Sequence, residues 1–347
     1  MNKTVFKSLA IVLSLGLTVP SLAQEAPKTK TFPDQPEFSE WLVDLKKEAL
    51  AQGIPETLFD QAFDGISLNK TVIELDKKQP EFTVTFQDYI EKRLSNTRID
   101  RGLAKLASHK DRLDAVAEKY GVQKRFITAI WGLETNYGGF TGGMNVVRSL
   151  ATLAYDPRRS AYFRKELLMA LQILNEGHID LADFKGSWAG AMGQSQFMPT
   201  SFKAYAQDFD QDGRRDIWTT DVDALASIAN YLKRYKWRND MTWGRQVTLP
   251  ENFDQYEEDI KQKGKPRGCR AERQHSDWFT LDDWQKMGVR RLNGDDLPAV
   301  NFKASLIRPA GKDGPAFLTY SNYRAILRYN CSNLYALSVS LLSDKFK

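Results

Sequence analysis

The chain is predicted to be an α+β protein, mainly helical, carrying one small β-containing insertion. Three observations support this. Apolar residues recur at helical spacing from Phe38 to about Tyr235, and again from Leu318 to Lys347. Between Arg245 and Phe317 that spacing gives way to short alternating pieces, Val247 with Leu249 and Ala304 with Leu306, among Gly and Pro turns. No run beyond Ala23 approaches the length of a membrane span.

In chain order, residues 1–23 open with Lys3 and Lys7, continue through an apolar run from Leu9 to Val19, and close on Ser21-Leu-Ala23. A charged start, a short apolar centre and a small-x-small exit make a secretory signal peptide. The mature chain is then expected to begin at Gln24, to be exported and soluble, and to keep about 320 residues. No Cys follows Ala23, so no lipid attachment or stable membrane anchor is expected. Loss of two lysines lowers the formal charge from +5 to +3. That is too weak and too dispersed for a nucleic-acid partner.

Residues 24–36 hold three prolines among charges and read as a flexible lead-in. Residues 37–120 read as a helical domain: Phe38, Trp41, Leu42, Leu45 and Ala49 form one stripe, ended by Gly53, and further stripes run through Leu58–Phe63, Tyr89–Leu94 and Leu103–Ala117. Residues 121–240 form a second helical part with unusual loops, 241–317 the β-containing insertion, and 318–347 a C-terminal segment returning to the second part. Cys269 and Cys331 are an even pair in an exported chain, which favours a bridge over two buried thiols. His109, His178 and His275 are scattered and show no zinc spacing.

The centre of the chain is Phe126-Ile-Thr-Ala-Ile-Trp-Gly-Leu-Glu-Thr-Asn-Tyr-Gly-Gly139. Phe126, Ile130 and Leu133 line one helical face, Glu134 stands at its edge, and Gly138-Gly139 offers a stop. A carboxyl on a buried face near the negative end of a helix dipole resists ionisation. Its raised pKa suits a general acid near neutral pH. On this stretch alone, a core helix whose Glu reaches out to water is the plainer reading.

Two further stretches change that balance. Gly186-Ser-Trp-Ala-Gly-Ala-Met-Gly-Gln-Ser-Gln-Phe-Met-Pro199 is dense in small residues, which let backbone approach a neighbour or ligand closely. Asp208-Phe-Asp-Gln-Asp-Gly-Arg-Arg-Asp216 places carboxylates at positions 1, 3, 5 and 9 and Gly at position 6, the first part of an EF-hand-type cation loop. Position 12 is Thr219 rather than Glu, so Asp221 or Asp223 is needed to complete the shell, Asp223 being the better placed. Tyr155-Asp-Pro-Arg-Arg159 breaks one helix and starts another, with its arginines read as surface or capping groups.

Together, Glu134-Thr-Asn-Tyr-Gly, Ala151-Thr-Leu-Ala-Tyr-Asp-Pro-Arg-Arg159, the Gly/Ala stretch, Asp223-Ala-Leu-Ala-Ser-Ile-Ala-Asn-Tyr-Leu232 and Arg328-Tyr-Asn330 resemble the lytic murein transglycosylases of the B type, glycoside hydrolase family 103. The resemblance covers nearly the whole mature chain. It implies a lysozyme-like catalytic core, a periplasmic location, a structural Ca²⁺ ion, no organic cofactor and peptidoglycan as substrate, with cell-wall synthesis or division proteins as candidate partners. Carried over by position, Glu134 is the catalytic acid and base. Ser187, Gln196, Tyr231, Tyr329, Asn330 and Tyr335 are the expected sugar contacts. Asp208, Asp210, Asp212, the Arg214 carbonyl and Asp223 are the expected calcium ligands.

Most glycosidases use two carboxylates, and here the motifs offer one. A single carboxyl suffices if the muramic acid C6 hydroxyl attacks C1, leaving a 1,6-anhydro end. Chain-end and mid-strand cleavage fit the sequence equally. The rival readings are a hydrolytic muramidase and a non-catalytic peptidoglycan-binding protein of the same fold.

Overall fold

The computed structural model describes residues 37–77, 84–264, 266 and 268–347. The expected signal segment and lead-in lie outside them. Helices dominate: α1 (Phe38–Ala51), α2 (Glu56–Phe63), α3 (Lys70–Lys77), α4 (Phe86–Arg93), α5 (Asn96–Ser108), α6 (Lys110–Tyr120), α7 (Lys124–Thr135), α8 (Val146–Tyr155), α9 (Ser160–Asn175), α10 (Pro199–Tyr205), α11 (Asp221–Arg234), α12 (Glu257–Ile260), α13 (Leu281–Lys286), α14 (Ser321–Tyr329) and α15 (Asn333–Asp344). Several starts are fixed by side-chain caps. Thr85, Ser95, Asn145 and Ser332 each accept a backbone N–H three residues on.

Three apolar cores organise these elements. The first gathers Trp41, Leu45, Phe59 and Val72 from α1–α3 with Leu150, Phe163, Leu167 and Leu171 from α8 and α9. The second gathers Val116, Phe126, Ile130, Trp131, Ile228, Leu232, Ile326, Leu337 and Val339 from α6, α7, α11, α14 and α15. Residues 37–120 were expected as one helical domain, and the structure divides them: α1–α3 join the first core, whereas Ile90, Leu94, Ile99, Leu106 and α6 join the second. Each of these short helices has a single apolar stripe, and the larger apolar surface available to it belongs to the later helices. The expected stripe Leu103–Ala117 is likewise interrupted at His109. The His109 ring faces away to Asp221, with Nε2 and Oδ2 2.8 Å apart.

The third core belongs to the insertion, where Trp284, Val247, Leu306 and Leu318 are buried under an antiparallel sheet. Two strands precede it in sequence, β1 (Met144–Asn145) and β2 (Lys185–Gly186), paired with each other as a short ribbon. The insertion's sheet runs β4 (Phe279–Thr280), β6 (Lys303–Ile307), β7 (Ala316–Thr319), β3 (Gly244–Thr248), β5 (Arg290–Arg291) in spatial order. The alternating pieces seen in the sequence are β3 and β6.

Arg158 and Arg159, read from sequence as surface or capping groups, have a more specific task. Both pair with Asp76, which is buried at the end of α3, and so fasten α3 to the α8–α9 turn. Cys269 and Cys331 form a disulfide across 62 residues of sequence, tying the insertion to the α14–α15 turn. Loop closure of that length stabilises the folded chain by up to about 4 kcal/mol in the chain-entropy model. The double variant Cys269→Ser with Cys331→Ser is expected to lose roughly 2–4 kcal/mol. Urea unfolding at fixed pH, compared with the oxidised parent, measures it.

Candidate active site

Helix α7 is buried along most of its length, because its own apolar face meets α11 and α15 and its Ala and Gly residues admit close neighbours. It ends at Thr135. The stop expected at Gly138-Gly139 comes earlier: Asn136 is the left-handed C-cap (φ 52°), and its N–H donates to the Gly132 carbonyl at 3.1 Å. Asn tolerates this conformation better than most residues.

Glu134 sits in the last turn, half-buried at the rim of the core. Tyr335, on α15, donates its hydroxyl to Glu134 Oε1 at 2.6 Å. Burial pushes the Glu134 carboxyl up to about 7, against the pull of the Tyr335 hydrogen bond and the Arg93 charge. The Tyr329 ring lies parallel to that of Tyr335, with centroids 6.5 Å apart and planes 9° apart. Tyr329 Oη donates to the Ser195 carbonyl at 2.6 Å, so α14 is latched onto the Gly/Ala loop.

Glu134 opens into a cleft of about 280 Å³ lined by Phe140, Gly142, Gly143, Met144, Gly186, Ser187, Trp188 and Gln196. Among the described residues of this lining, Glu134 is the one carboxyl. The cleft floor depends on close backbone approach at the β1–β2 ribbon: a Cβ on Gly142 would meet the Gly186 carbonyl at 2.2 Å. Ser187 Oγ accepts the Ala191 N–H at 3.0 Å and closes the turn that follows β2. Gln196 has left-handed backbone (φ 49°) and anchors its Nε2 on the Thr141 and Gly193 carbonyls at 3.0 and 2.9 Å.

Of the expected sugar contacts, the structure gathers Ser187, Gln196, Tyr329 and Tyr335 around Glu134. Tyr231 stands one layer back. Its hydroxyl donates to the Arg328 carbonyl at 2.5 Å, and its ring packs among Tyr205, Tyr235, Phe197 and Tyr329. It supports Tyr329 and does not line the cleft. Asn330 is exposed at the end of α14, where its backbone closes the turn into α15. Sequence reasoning missed Phe140, Met144 and Trp188. Phe140 is 73 % exposed, unusual for a Phe beside an active cleft, and Trp188 lay inside a motif already singled out. Their signal was an aromatic or Met within two residues of a Gly, which spacing alone does not separate from core.

In the loop between α10 and α11, carboxylate oxygens of Asp208, Asp210 and Asp212 lie within 4.8 Å of one another. Asp208 accepts the N–H groups of Asp212 and Gly213 at 3.2 and 3.0 Å, which folds the loop. Asp223, fully buried, accepts the Phe209 and Asp216 N–H groups at 2.7 and 2.9 Å. Burial pushes Asp223 up to about 6, and the Asp210 and Asp208 charges add to that. Asp216 caps the turn at Trp218 and Thr219. Three converging hard oxygens fit a Ca²⁺-type cation.

Residues 37–344 match the family model described as "Transglycosylase SLT domain". The chain is 32 % identical over 254 residues to the membrane-bound lytic murein transglycosylase B of Escherichia coli, covering 72 % of this chain and 64 % of that protein. SltB3 from Pseudomonas aeruginosa, solved in complex with NAG-anhNAM-pentapeptide, superposes with a TM-score of 0.82 at 45 % identity, over 89 % of this chain and 79 % of that one. Slt35 of Escherichia coli, solved in complex with calcium, gives a TM-score of 0.71 at 26 % identity, over 90 % and 93 %.

The pH dependence of stability follows from Glu134. Its folded pKa of about 7 exceeds the ordinary 4.5, so the native state holds a proton that the unfolded chain releases. The stabilisation is complete below pH 4.5 and is lost as pH rises through 7. Glu134→Gln mimics the protonated group. It is expected to match the parent at pH 4 and to exceed it by on the order of 3 kcal/mol at pH 8, in urea melts at both values.

Proposed function

We propose, proceeding from the fact that this chain belongs to the transglycosylase SLT domain family, that it cleaves peptidoglycan by lytic transglycosylation with Glu134 as its acid and base. The observation that carries this reading is a single carboxyl, held near neutral pKa, in a cleft whose other lining residues offer none. The complex of SltB3 with NAG-anhNAM-pentapeptide supports the same product class.

The protonated Glu134 donates to the oxygen of the β-1,4 bond between N-acetylmuramic acid and N-acetylglucosamine, and that bond breaks. The resulting carboxylate then takes the proton of the muramic acid C6 hydroxyl as its oxygen attacks C1. The 1,6-anhydro end forms, and Glu134 is protonated again. No water is consumed. Tyr335 donates to Glu134 throughout and stabilises its ionised form between the two steps. Ser187 and Gln196 orient the sugars from the floor, while Trp188 and Phe140 offer ring faces for stacking.

The acidic loop holds a Ca²⁺ ion through Asp208, Asp210, Asp212 and the Arg214 carbonyl. Asp223, assigned to that shell by resemblance, uses both oxygens on backbone amides and acts as the loop's internal brace. The ion supplies charge balance and rigidity. Export to the periplasm rests on the signal-like first 23 residues. No helix among the described residues is long and apolar enough to cross a membrane.

Mass spectrometry of soluble products from purified peptidoglycan is the primary test. Anhydro-muropeptides, one water lighter than reducing ones, are expected, and Glu134→Gln should lower their rate by roughly a thousandfold. Reducing muropeptides would establish hydrolysis instead. Tyr335→Phe removes a donor to the ionised form, so the Glu134 pKa rises. The basic limb of kcat/KM is therefore expected to move to higher pH. For the loop, calcium at a hundredfold excess over its Kd should stabilise the parent by about 2.7 kcal/mol. Asp210→Asn combined with Asp212→Asn should abolish that shift in a thermal melt.

A further inference from the structure

The backbone immediately behind Glu134 is strained. Asn136, Tyr137 and Gly138 all have positive φ, at 52°, 62° and 78°. For the two non-glycine residues this conformation is unfavourable and persists only when neighbours enforce it. The enforcing neighbour is Gln194. Thr135 Oγ1 accepts the Gly138 N–H at 3.1 Å and donates to the Gln194 carbonyl at 3.0 Å. The Gln194 side chain lies against Gly138, where a Cβ would meet Oε1 at 2.5 Å. That same Oε1 accepts the Trp131 indole N–H at 2.8 Å, one turn before Thr135.

The other half of Gln194 points at the acidic loop. Its Nε2 donates to Asp221 Oδ1 at 2.8 Å, and its N–H donates to the Ile217 carbonyl at 2.7 Å. Ile217 follows Asp216 at the loop's exit, and Asp216 donates its N–H to Asp223. Gln194 is 3 % exposed and does not line the cleft. One buried residue, through its main chain and its side-chain amide together, therefore joins the last turn of α7 to both the exit of the loop and the start of α11.

We infer that Gln194 is a positioning residue through which a cation in the 208–216 loop fixes the turn that holds Glu134. The inference rests on the cation-loop reading above and deepens it. A cation drawing Asp208, Asp210 and Asp212 together stiffens the loop's exit. Through Gln194 this stiffening reaches Thr135 and Gly138, and so restrains the direction in which Glu134 enters the cleft.

Amide hydrogen exchange on the full chain, with and without calcium, tests this independently of activity. In the parent, calcium is expected to slow exchange both at 208–218 and at 132–140. In Gln194→Met, which keeps volume and the main-chain bonds but removes the side chain's bonds to Trp131 and Asp221, protection should remain at 208–218 and fall severalfold at 132–140. The same variant should lower kcat on peptidoglycan by on the order of tenfold with KM within about twofold, and kcat should no longer respond to calcium. Should Gln194→Met not fold, Asp221→Ala cuts the link from the other side while leaving the Trp131 bond, and the same uncoupling is expected. Equal protection of 132–140 in variant and parent, or protection confined to 208–218 in the parent, would overturn the role of Gln194. No protection of 208–218 in the parent would overturn the cation loop itself and this inference with it.

Discussion

The hydrogen bond from Tyr335 to Glu134 joins α7, at the centre of the second core, to α15, its last helix. It spans 201 residues of sequence, and it forms only when α15 lies along α7. Everything that brings those helices together serves it: the second apolar core, the latch of Tyr329 on Ser195, and the disulfide that ties the insertion to the α14–α15 turn. A carboxyl at the edge of an apolar helix face is poorly solvated, so each neighbouring donor counts for more than it does in water. Burial raises its pKa, while Tyr335 and the Arg93 charge pull back. The resulting value lies near neutrality because burial outweighs both.

Much of this was legible in the sequence where local chemistry decides. The helical stripes, the β-containing insertion, the acidic loop and the placing of Glu134 all follow from spacing and from the conformational habits of Gly, Asp and Pro. The bridge between Cys269 and Cys331 followed from their number and the signal-like start of the sequence. The grouping of helices into cores was not legible. An amphipathic stripe says that a face is buried but not against what, so residues 37–120 looked like one domain although α1–α3 and α4–α6 serve different cores.

The site shows the same division. Glu134, Ser187, Gln196, Tyr329 and Tyr335 came from motifs and meet around one cleft. Tyr231 was placed at the sugars on resemblance, yet its hydroxyl is held by the Arg328 carbonyl and its ring backs Tyr329. Aromatic residues in consecutive layers share composition and spacing, and only the fold says which layer faces the cleft. Gln194 was visible as one of the polar groups of the Gly/Ala stretch. Its function as a brace required knowing that Trp131, Thr135 and Asp221 converge on it.

A single carboxyl that serves as acid and then as base sets a stricter condition than a pair sharing the work. A pair can be tuned apart, one group held protonated and the other ionised. One group must give its proton readily and then take another, so a pKa far from the working pH in either direction impairs one step. Deeper burial of Glu134 would keep it protonated but make it a weaker acid, whereas a full ion pair would empty it of its proton before substrate arrives. The observed arrangement avoids both. A neutral phenol donates to the carboxyl, and Arg93, the one cation among the described residues that acts on it, has a smaller effect than that phenol. Glu134 therefore lies at the rim of the core, on the last turn of α7. A position nearer the middle of the helix would fix it more firmly but shut it off from the cleft, which is why the strained turn behind it needs a brace from outside the helix.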